Sequence, residues 1–323
     1  MEKVIPPSSL KWQQYRALLE LLPEQHPEYP NVLSQFRRQD AGQAGENRLE
    51  FYLQQAQLSN LTFLKRLRIE HHHPFQIDWI VLTSSFRVIF EVKNFTGPIY
   101  FDAKSNQLTR EIDGTTKAFD DPVLQVDRQY INLRAFLIAH DKKQLPIYRY
   151  AVFVNPNVIL KLHDYPDYHR ILTGQAVPNL LEKLAAKHPT TTSDPVPLKS
   201  FLEENHQERL IPILEKHQIL WENLIQGIPC PNCSNRPMLR ERMCWQCLNC
   251  GERSADAHKA MLYSLALLSG NQTTKNLAAH FLLMDSPDAA RKMLGRAGYI
   301  KIGANKTAYY AHPELLEITK SVQ

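Results

Sequence analysis

The string QIDWIVLTSSFRVIFEVKNF, residues 76–95, constrains the fold of this chain more than any other segment. It contains two runs rich in Ile, Val and Phe, and the TSSF between them predicts a short hairpin connection. We therefore expect two buried neighbouring strands, the first carrying Asp78 and the second carrying Glu91 and Lys93. Charged side chains in such apolar strands are costly unless they are paired or bind a metal.

The alternation of side chains along a strand puts Glu91 and Lys93 on one face and turns Val92 toward the core. A hairpin can bring Asp78 and Glu91 to one metal ion, and two carboxylates suit Mg²⁺ or Mn²⁺. A lysine beside them can orient or deprotonate a water, or steady the charge on a phosphate. The alternative is a structural ion pair between Glu91 and Lys93 at a strand end.

Two polar residues in neighbouring helices are further candidates. Glu46, in AGENRLEF, is expected one turn into a helix that can aim it at the same spot, although a first-turn glutamate also interacts with the helix dipole. Gln125, in DPVLQVDRQ, belongs to a later helix with Asp121 as its cap and Pro122 in its first turn. The alternative for Gln125 is an ordinary solvated side chain.

The remaining pattern predicts an α/β or α+β layout with a mostly continuous sheet. A helix near Leu10–Leu22 is expected to pack on the first domain as a leader. Further strands are predicted at residues 60–68, on both sides of a turn at Ser105–Asn106, and in IYRYAVFVNP, with helices between residues 176 and 220.

Four strings in this order, AGENRLE, QIDWIVL, FEVKNFTGPI and DPVLQ, resemble the NERD family, the nuclease-related domain, over roughly residues 40–155. That family looks like a member of the PD-(D/E)xK restriction-endonuclease-like superfamily. The resemblance implies a mixed sheet flanked by helices and an active-site set of Glu46, Asp78, Glu91, Lys93 and Gln125. At the aspartate motif, Trp79 stands where many relatives carry a histidine; this departure flanks the site and removes no metal ligand.

The chemistry that the resemblance implies is metal-assisted hydrolysis of a phosphodiester bond. Asp78, Glu91 and the backbone carbonyl of Val92 would hold Mg²⁺ or Mn²⁺, and Glu46 would hold it directly or through water. Lys93 would position the attacking water, while the metal would stabilise charge on the phosphate oxygens.

All five cysteines fall between Cys230 and Cys250. The pairs Cys230/Cys233 and Cys247/Cys250 form two CxxC motifs with 13 residues between them, a spacing that resembles a zinc ribbon with a structural Zn²⁺. Cys244 with Cys247 is a rival second pair, which we regard as the weaker one. A redox role is also weaker, because no thioredoxin-like βαβ unit surrounds the cysteines.

Four arginines surround Trp245 in this module and can contact a nucleic-acid backbone, or simply form a solvated surface: Arg236, Arg240, Arg242 and Arg253. After them, Ser286 and Pro287 are expected to begin the second of two short helices, followed by a hairpin across GANK. This resembles a winged helix-turn-helix, and a protein-contact role is the alternative. The predicted nucleic-acid contacts are Arg291, Lys292, Arg296, Lys301 and Lys306.

The net charge is +5, and the residues from 221 onward carry 12 basic and 8 acidic side chains, so most of the excess lies there. No glycine-rich nucleotide loop, membrane span or signal-peptide layout occurs, so we expect a cytoplasmic protein with no membrane partner. The expected division is a helical leader (1–40), a nuclease-like domain (41–220), a zinc ribbon (226–254) and a helix-turn-helix-like domain (255–323).

These features together predict a metal-dependent DNA nuclease or DNA-processing enzyme. RNA is an alternative substrate, and a catalytically silent DNA-binding or adaptor protein is the alternative function. The sequence predicts no particular oligomeric state.

Overall fold

The structure is a computed structural model that describes residues 5–58, 61–112, 114–189 and 194–319, without the side chain of Lys306. Its internal contacts divide the chain into two compact units. The first unit comprises Met1–Pro7 and Asp40–Gln207, and the second comprises Ser8–Gln39 and Glu208–Gln323. The four segments expected from the sequence remain a prediction of domain organisation.

Helices and strands follow one another mostly in runs along the chain. The helices are α1 (Leu10–Leu21), α2 (Tyr29–Leu53), α3 (Pro122–Ala139), α4 (Val177–Lys187), α5 (Val196–Glu204), α6 (Ile213–Lys216), α7 (Ala257–Leu268), α8 (Lys275–Phe281), α9 (Pro287–Arg296) and α10 (Pro313–Ile318). The strands are β1 (Thr62–Ile69), β2 (Phe75–Leu82), β3 (Arg87–Lys93), β4 (Gly97–Asp102), β5 (Gln107–Ile112), β6 (Thr115–Asp120), β7 (Ile147–Phe153), β8 (Val158–Lys161), β9 (Ile171–Thr173), β10 (Leu239–Glu241), β11 (Cys244–Gln246), β12 (Arg253–Ser254), β13 (Ile300–Ile302) and β14 (Tyr309–Ala311).

A five-stranded mixed sheet in the order β1-β2-β3-β7-β9 forms the centre of the first unit. The predicted hairpin is present, since β2 pairs antiparallel with β3, and β3 pairs parallel with β7. Leucines of α3 and α5 cover one face, as Leu133 and Leu202 do beside Ile80. Side chains of α2 and α4 cover the other face around Trp79. This confirms the expected mixed α+β fold with flanking helices.

A second mixed sheet, in the order β6-β5-β4-β8, shows that the expectation of one mostly continuous sheet was wrong. The chain leaves the first sheet after Lys93, and Gly97 begins β4 with φ of 77°. This left-handed conformation favours glycine and redirects the backbone. The Gly97 N–H donates to the Asn157 carbonyl, so β4 lies next to β8 and not next to β3.

One apolar core runs through the second unit and includes side chains of α1, the cysteine module and α7–α9. The expectation that α1 packs on the first domain was therefore wrong. Its buried Gln14 donates to the carbonyls of Ile211 and Leu267 at 2.9 Å each, and the Tyr263 hydroxyl donates to Gln13. These bonds, together with an apolar face of leucines, make α1 part of this core.

The last part of the second unit follows the predicted order of two helices and a hairpin. Ser286 caps α9 by accepting the Ala289 N–H, with Pro287 at its start, as predicted. Strand β13 pairs antiparallel with β14, and Thr273 before α8 exchanges backbone hydrogen bonds with Tyr310. In the part of the chain that the structure describes, no helix combines the length and apolar character needed to cross a bilayer.

Candidate functional site

Asp78 lies where β2 loses its backbone partners. The pairing of β2 with β3 ends at Trp79 and Phe90, and its pairing with β1 is interrupted between Asp78 and Arg66. At this point the Val92 N–H donates to the Asp78 carboxylate oxygen Oδ2 at 2.8 Å. The side chain thus takes the place of a backbone acceptor and holds two strands that have stopped pairing with each other.

Glu91, Lys93 and Gln125 form one hydrogen-bonded group beside this break. The Lys93 ammonium donates to Glu91 Oε1 at 2.6 Å and to Gln125 Oε1 at 2.7 Å. Val92 between them packs against the opposite face of the sheet, as strand alternation predicts. The structure therefore brings these three predicted site residues together, with Glu91 and Lys93 largely buried.

Gln129 is a site residue that the sequence reasoning missed. Its side-chain amide donates to the second carboxylate oxygen of Glu91, Oε2, at 2.6 Å. Gln125 and Gln129 are four residues apart on α3 and so lie on the same face of the helix. That spacing was the available signal, because both glutamines stand in the string DPVLQVDRQ.

Glu46 reaches the site from α2, but the expectation of a first-turn glutamate was wrong. This helix begins at Tyr29, well before Glu46, and the field of a helix terminus falls off within one turn. Glu46 Oε2 instead lies 3.7 Å from Arg66 Nε, with the two side chains 12% and 3% exposed. Arg66 also donates to the carbonyls of Pro6 and Pro7, and its φ of 54° marks the break in β1.

Gly45 allows α2 to lie close to the end of β3. A Cβ on Gly45 would lie 2.8 Å from the Cβ of Asn94, which directly follows Lys93. The Asn94 amide donates to the Ala41 carbonyl at 2.9 Å, and Arg48 donates to Asn94 Oδ1 at 2.8 Å. These contacts fix the segment of α2 that carries Glu46 beside the lysine.

Trp79, the departure from the family motif, also ties α2 to the sheet. Its side chain is buried, and the indole N–H donates to the Glu46 carbonyl at 3.2 Å. Lys65 lies over the ring with its ammonium 5.7 Å from the centroid. The tryptophan therefore has a packing role next to the carboxylates.

The carboxylates at the break repel one another. Burial raises the pKa of Asp78 well above its usual range, and the charges of Glu91 and Glu46 raise it further. The Val92 N–H and the Lys93 ammonium act in the opposite direction and do not compensate. Burial and the neighbouring carboxylates therefore favour the uncharged form of Asp78.

The donor set fits a divalent cation such as Mg²⁺ or Mn²⁺. Carboxylate oxygens are the ligands that these hard cations prefer, and the charge of a dication would counteract the burial and the neighbouring carboxylates that raise the pKa of Asp78. Within the described residues, however, Glu46, Asp78 and Glu91 do not form a group of three ligands close enough to hold one ion. Asp78 and Glu91 remain the pair of donors, while Glu46 is paired with Arg66.

The second unit contains a compact thiol cluster made by the four expected cysteines. One Sγ atom from each of Cys230, Cys233, Cys247 and Cys250 lies within 4.8 Å of the others. Cys244 lies outside this cluster, and its thiol donates to the Trp245 carbonyl at 3.6 Å. The cluster therefore matches a tetrahedral metal site of the zinc-ribbon type and resolves the rivalry between the two candidate pairs.

The environments of two of these thiols differ. Hydrogen bonds from the Asn249 side chain and the Asn235 backbone lower the pKa of Cys233 to about 6. Burial raises the pKa of Cys230 to about 11. Donors aimed at a sulfur favour the thiolate, which is the form that binds a metal.

The predicted nucleic-acid contacts have different surroundings. Arg291, Lys292 and Arg296 of α9 and Lys301 of β13 are exposed, while the side chain of Lys306 lies outside the described residues. Trp245 is 2% exposed and packs in the core, so it offers no ring for a base to stack on. Arg236 is partly buried and donates to the Glu20 carbonyl.

Comparison with known proteins gives one family match. Residues 41–154 match the family model described as NERD, nuclease-related domain. No curated protein and no solved structure matches the chain significantly. The matched segment contains the break at Asp78 and the groups around it, so residues 41–154 of this chain are similar to a nuclease-related domain.

Proposed function

We propose that the first unit is a metal-dependent nuclease that hydrolyses phosphodiester bonds in nucleic acid, with DNA as the expected substrate, in the cytoplasm. The observation that carries this proposal is the break between β2 and β3, where Asp78 and Glu91 lie with Lys93. Charged groups with this little exposure are costly to bury, which favours a functional site over a packing role. Paired carboxylates and one lysine suit phosphoryl chemistry.

Asp78, Glu91 and the Val92 carbonyl would hold Mg²⁺ or Mn²⁺. When bound, the ion supplies stabilisation for the charge that develops on the phosphate oxygens. Lys93 has three N–H donors, and Glu91 and Gln125 accept two of them. The third donor remains for the attacking water or a phosphate oxygen, so Lys93 orients the nucleophile.

The two glutamines of α3 fix the orientation of this group. Gln125 accepts a hydrogen bond from the Lys93 ammonium, and the Gln129 amide donates to Glu91 Oε2. Because both carboxylate oxygens of Glu91 are hydrogen-bonded, its plane is fixed before a substrate arrives. Such orientation by neighbouring groups commonly contributes 10- to 100-fold, by order of magnitude, to metal affinity or activity.

We propose further that the second unit binds nucleic acid through α9 and the hairpin after it, with Arg291, Lys292, Arg296, Lys301 and Lys306 as contacts. The order of helices, the bridge at Thr273 and the hairpin support a winged-helix arrangement. The zinc-type cluster stabilises this unit, since Cys230 and Cys247 are part of its core.

A cleavage assay tests the nuclease proposal. The full-length protein is incubated with Mg²⁺ or Mn²⁺ and plasmid, linear duplex, single-stranded DNA and RNA. We expect cutting by the wild type, and loss of at least about 100-fold in Asp78→Asn and Glu91→Gln. Glu111→Gln, which removes an exposed carboxylate in the second sheet, is the matched control and should cut normally.

The alternative function gives a different result in the same assay. A wild type that binds DNA and cuts no substrate with either metal would indicate a binding or adaptor protein. In that case the bond between Lys93 and Glu91 would be a structural ion pair.

A further inference from the structure

A cleft of about 310 Å³ in the second unit lies between the cysteine module, the start of α7 and the helix α9. The module contributes Arg240 and Met243 from the β10–β11 hairpin, and α9 contributes Lys292, Met293 and Arg296. Its residues therefore come from two segments that the sequence suggested as separate nucleic-acid contacts.

The positive charge of the cleft favours an anionic ligand. Four cationic side chains line it, namely Arg240, Lys259, Lys292 and Arg296. Asp256 is the one carboxylate among its lining residues, and it is paired with the Lys259 ammonium at 2.9 Å. The remaining positive charge attracts phosphate groups and releases counterions when they bind.

Part of the lining of the cleft is apolar. Met243, Met284 and Met293 line it, and Met243 is 67% exposed at the tip of the hairpin. Methionine side chains are flexible and polarisable, so they adapt to flat or irregular apolar groups. A ligand that combines phosphate charge with a flat apolar ring matches both parts of the cleft.

One wall of the cleft is held in place by the core. The Arg240 guanidinium lies over the Trp245 ring, 5.1 Å from its centroid. The buried Trp245 indole N–H donates to His258 Nδ1 at 3.2 Å, and His258 itself lines the cleft. Arg240 is therefore preorganised by a buried aromatic ring, which lowers the entropy cost of ordering it on a ligand.

We propose that this cleft binds single-stranded nucleic acid, with an unpaired base against the methionines and the flanking phosphates on Arg240, Lys292 and Arg296. A duplex keeps its base faces stacked and presents phosphates and base edges, so it reaches the cationic side chains but cannot place a base face against the methionines. The proposal extends the proposed function by naming the strand form that the second unit recognises.

The test is a binding measurement on the full-length Glu91→Gln protein, so that no cleavage occurs and the result does not depend on the nuclease proposal. A short fluorescein-labelled single strand and the matching duplex are titrated by anisotropy at several salt concentrations. We expect tighter binding of the single strand. Lys292→Ala should weaken it about five-fold and reduce the salt slope by roughly 0.7.

Matched variants separate the cleft from the general charge of this surface. Lys275→Ala, on α8, removes an exposed charge that does not line the cleft and should have less than a two-fold effect on the single strand. Met243→Ala should weaken the single strand about three-fold and leave the duplex unchanged.

Three results would overturn the proposal. The first is equal losses in Lys275→Ala and Lys292→Ala, and the second is a Met243→Ala protein with unchanged single-strand affinity. The third is preference for an acidic peptide, with poly-glutamate as the probe, over the single strand. Absence of cleavage by the wild-type protein would contradict the nuclease proposal and leave this one standing.

Discussion

The carboxylate of Asp78 accepts the backbone N–H of Val92 at 2.8 Å across two strands whose backbone pairing has already ended. The bond links the break in the sheet to the chemistry of the site. It orients Asp78 and fixes the backbone of Val92 between Glu91 and Lys93, so one contact helps to position the two charged groups at the end of β3.

Gln129→Ala tests whether the hydrogen bond from Gln129 to Glu91 Oε2 supports the proposed activity. The variant leaves Glu91 in place and removes the donor at 2.6 Å. We expect the single-turnover cleavage rate to fall about 10-fold and the metal concentration needed for half-maximal rate to rise. Arg128→Ala on an exposed position of α3 is the control. Equal activity in Gln129→Ala and wild type would remove Gln129 from the site.

Arg66→Met tests the buried pair of Arg66 and Glu46. The substitution leaves a carboxylate that is 12% exposed without its cation, and it removes the donor to the carbonyls of Pro6 and Pro7. We expect the free energy of unfolding, measured by urea denaturation, to fall by about 3 kcal/mol. Lys65→Met breaks a more exposed pair with Glu50 and should cost less than about 1 kcal/mol. Similar losses in both variants would argue against a special role for Arg66.

Metal analysis by mass spectrometry tests the cysteine cluster. We expect about one zinc per chain in the purified, reduced protein, because four thiolates fill one tetrahedral shell. Cys233→Ser should lose the metal and lower the melting temperature of the second unit, whose core includes Cys230 and Cys247. Cys244→Ser should retain the metal, since Cys244 lies outside the cluster. Loss of zinc from both variants would contradict the assignment of ligands.

The acid stability of the first unit depends on Asp127 of α3. Burial alone would raise its pKa, but hydrogen bonds from Arg170 and Arg149 together lower the pKa below its usual value. An unfolded aspartate titrates near about 3.9, so the contribution of Asp127 is complete above that pH and is lost as the pH falls toward the folded pKa. Asp127→Asn should be about 1 kcal/mol less stable at pH 7.

The stability difference between wild type and Asp127→Asn should shrink as the pH falls below about 4. Denaturant unfolding over a pH series measures it, with Asp141→Asn at an exposed position as the control. A difference that stays constant with pH would show that Asp127 acts through something other than its charge.

Much of the first unit could be predicted because its signals are local. The apolar runs of β2 and β3 and the Asp121–Pro122 start of α3 correspond to elements in the structure. The sequence reasoning missed β6, β8 and β9. Strand β6 is mostly exposed and polar, and β9 has three residues, so neither produces an apolar alternation. These two segments are strands because they pair with a neighbouring strand, β6 with β5 and β9 with β7.

The partners of the candidate site were harder to predict. Glu91 and Lys93 are two residues apart on one strand, so their contact follows from alternation alone. Arg66 and Glu46 meet through the packing of α2 against an interrupted strand, and no local pattern marks a φ of 54° at an arginine. The start of α2 was placed too late because AGQAG at residues 41–45 looks like a beginning, whereas the helix runs through both glycines.

Gly45 has only a hydrogen where other residues carry a side chain, and this allows the helix to lie close to Asn94 at the end of β3. Any larger residue would push the segment bearing Glu46 away from Asn94, and with it away from Lys93. Misplacement of a reacting group by about 1 Å can cost a reaction roughly 100-fold. We therefore expect Gly45→Ala to lower the proposed nuclease activity through this displacement alone, even in a protein that still folds.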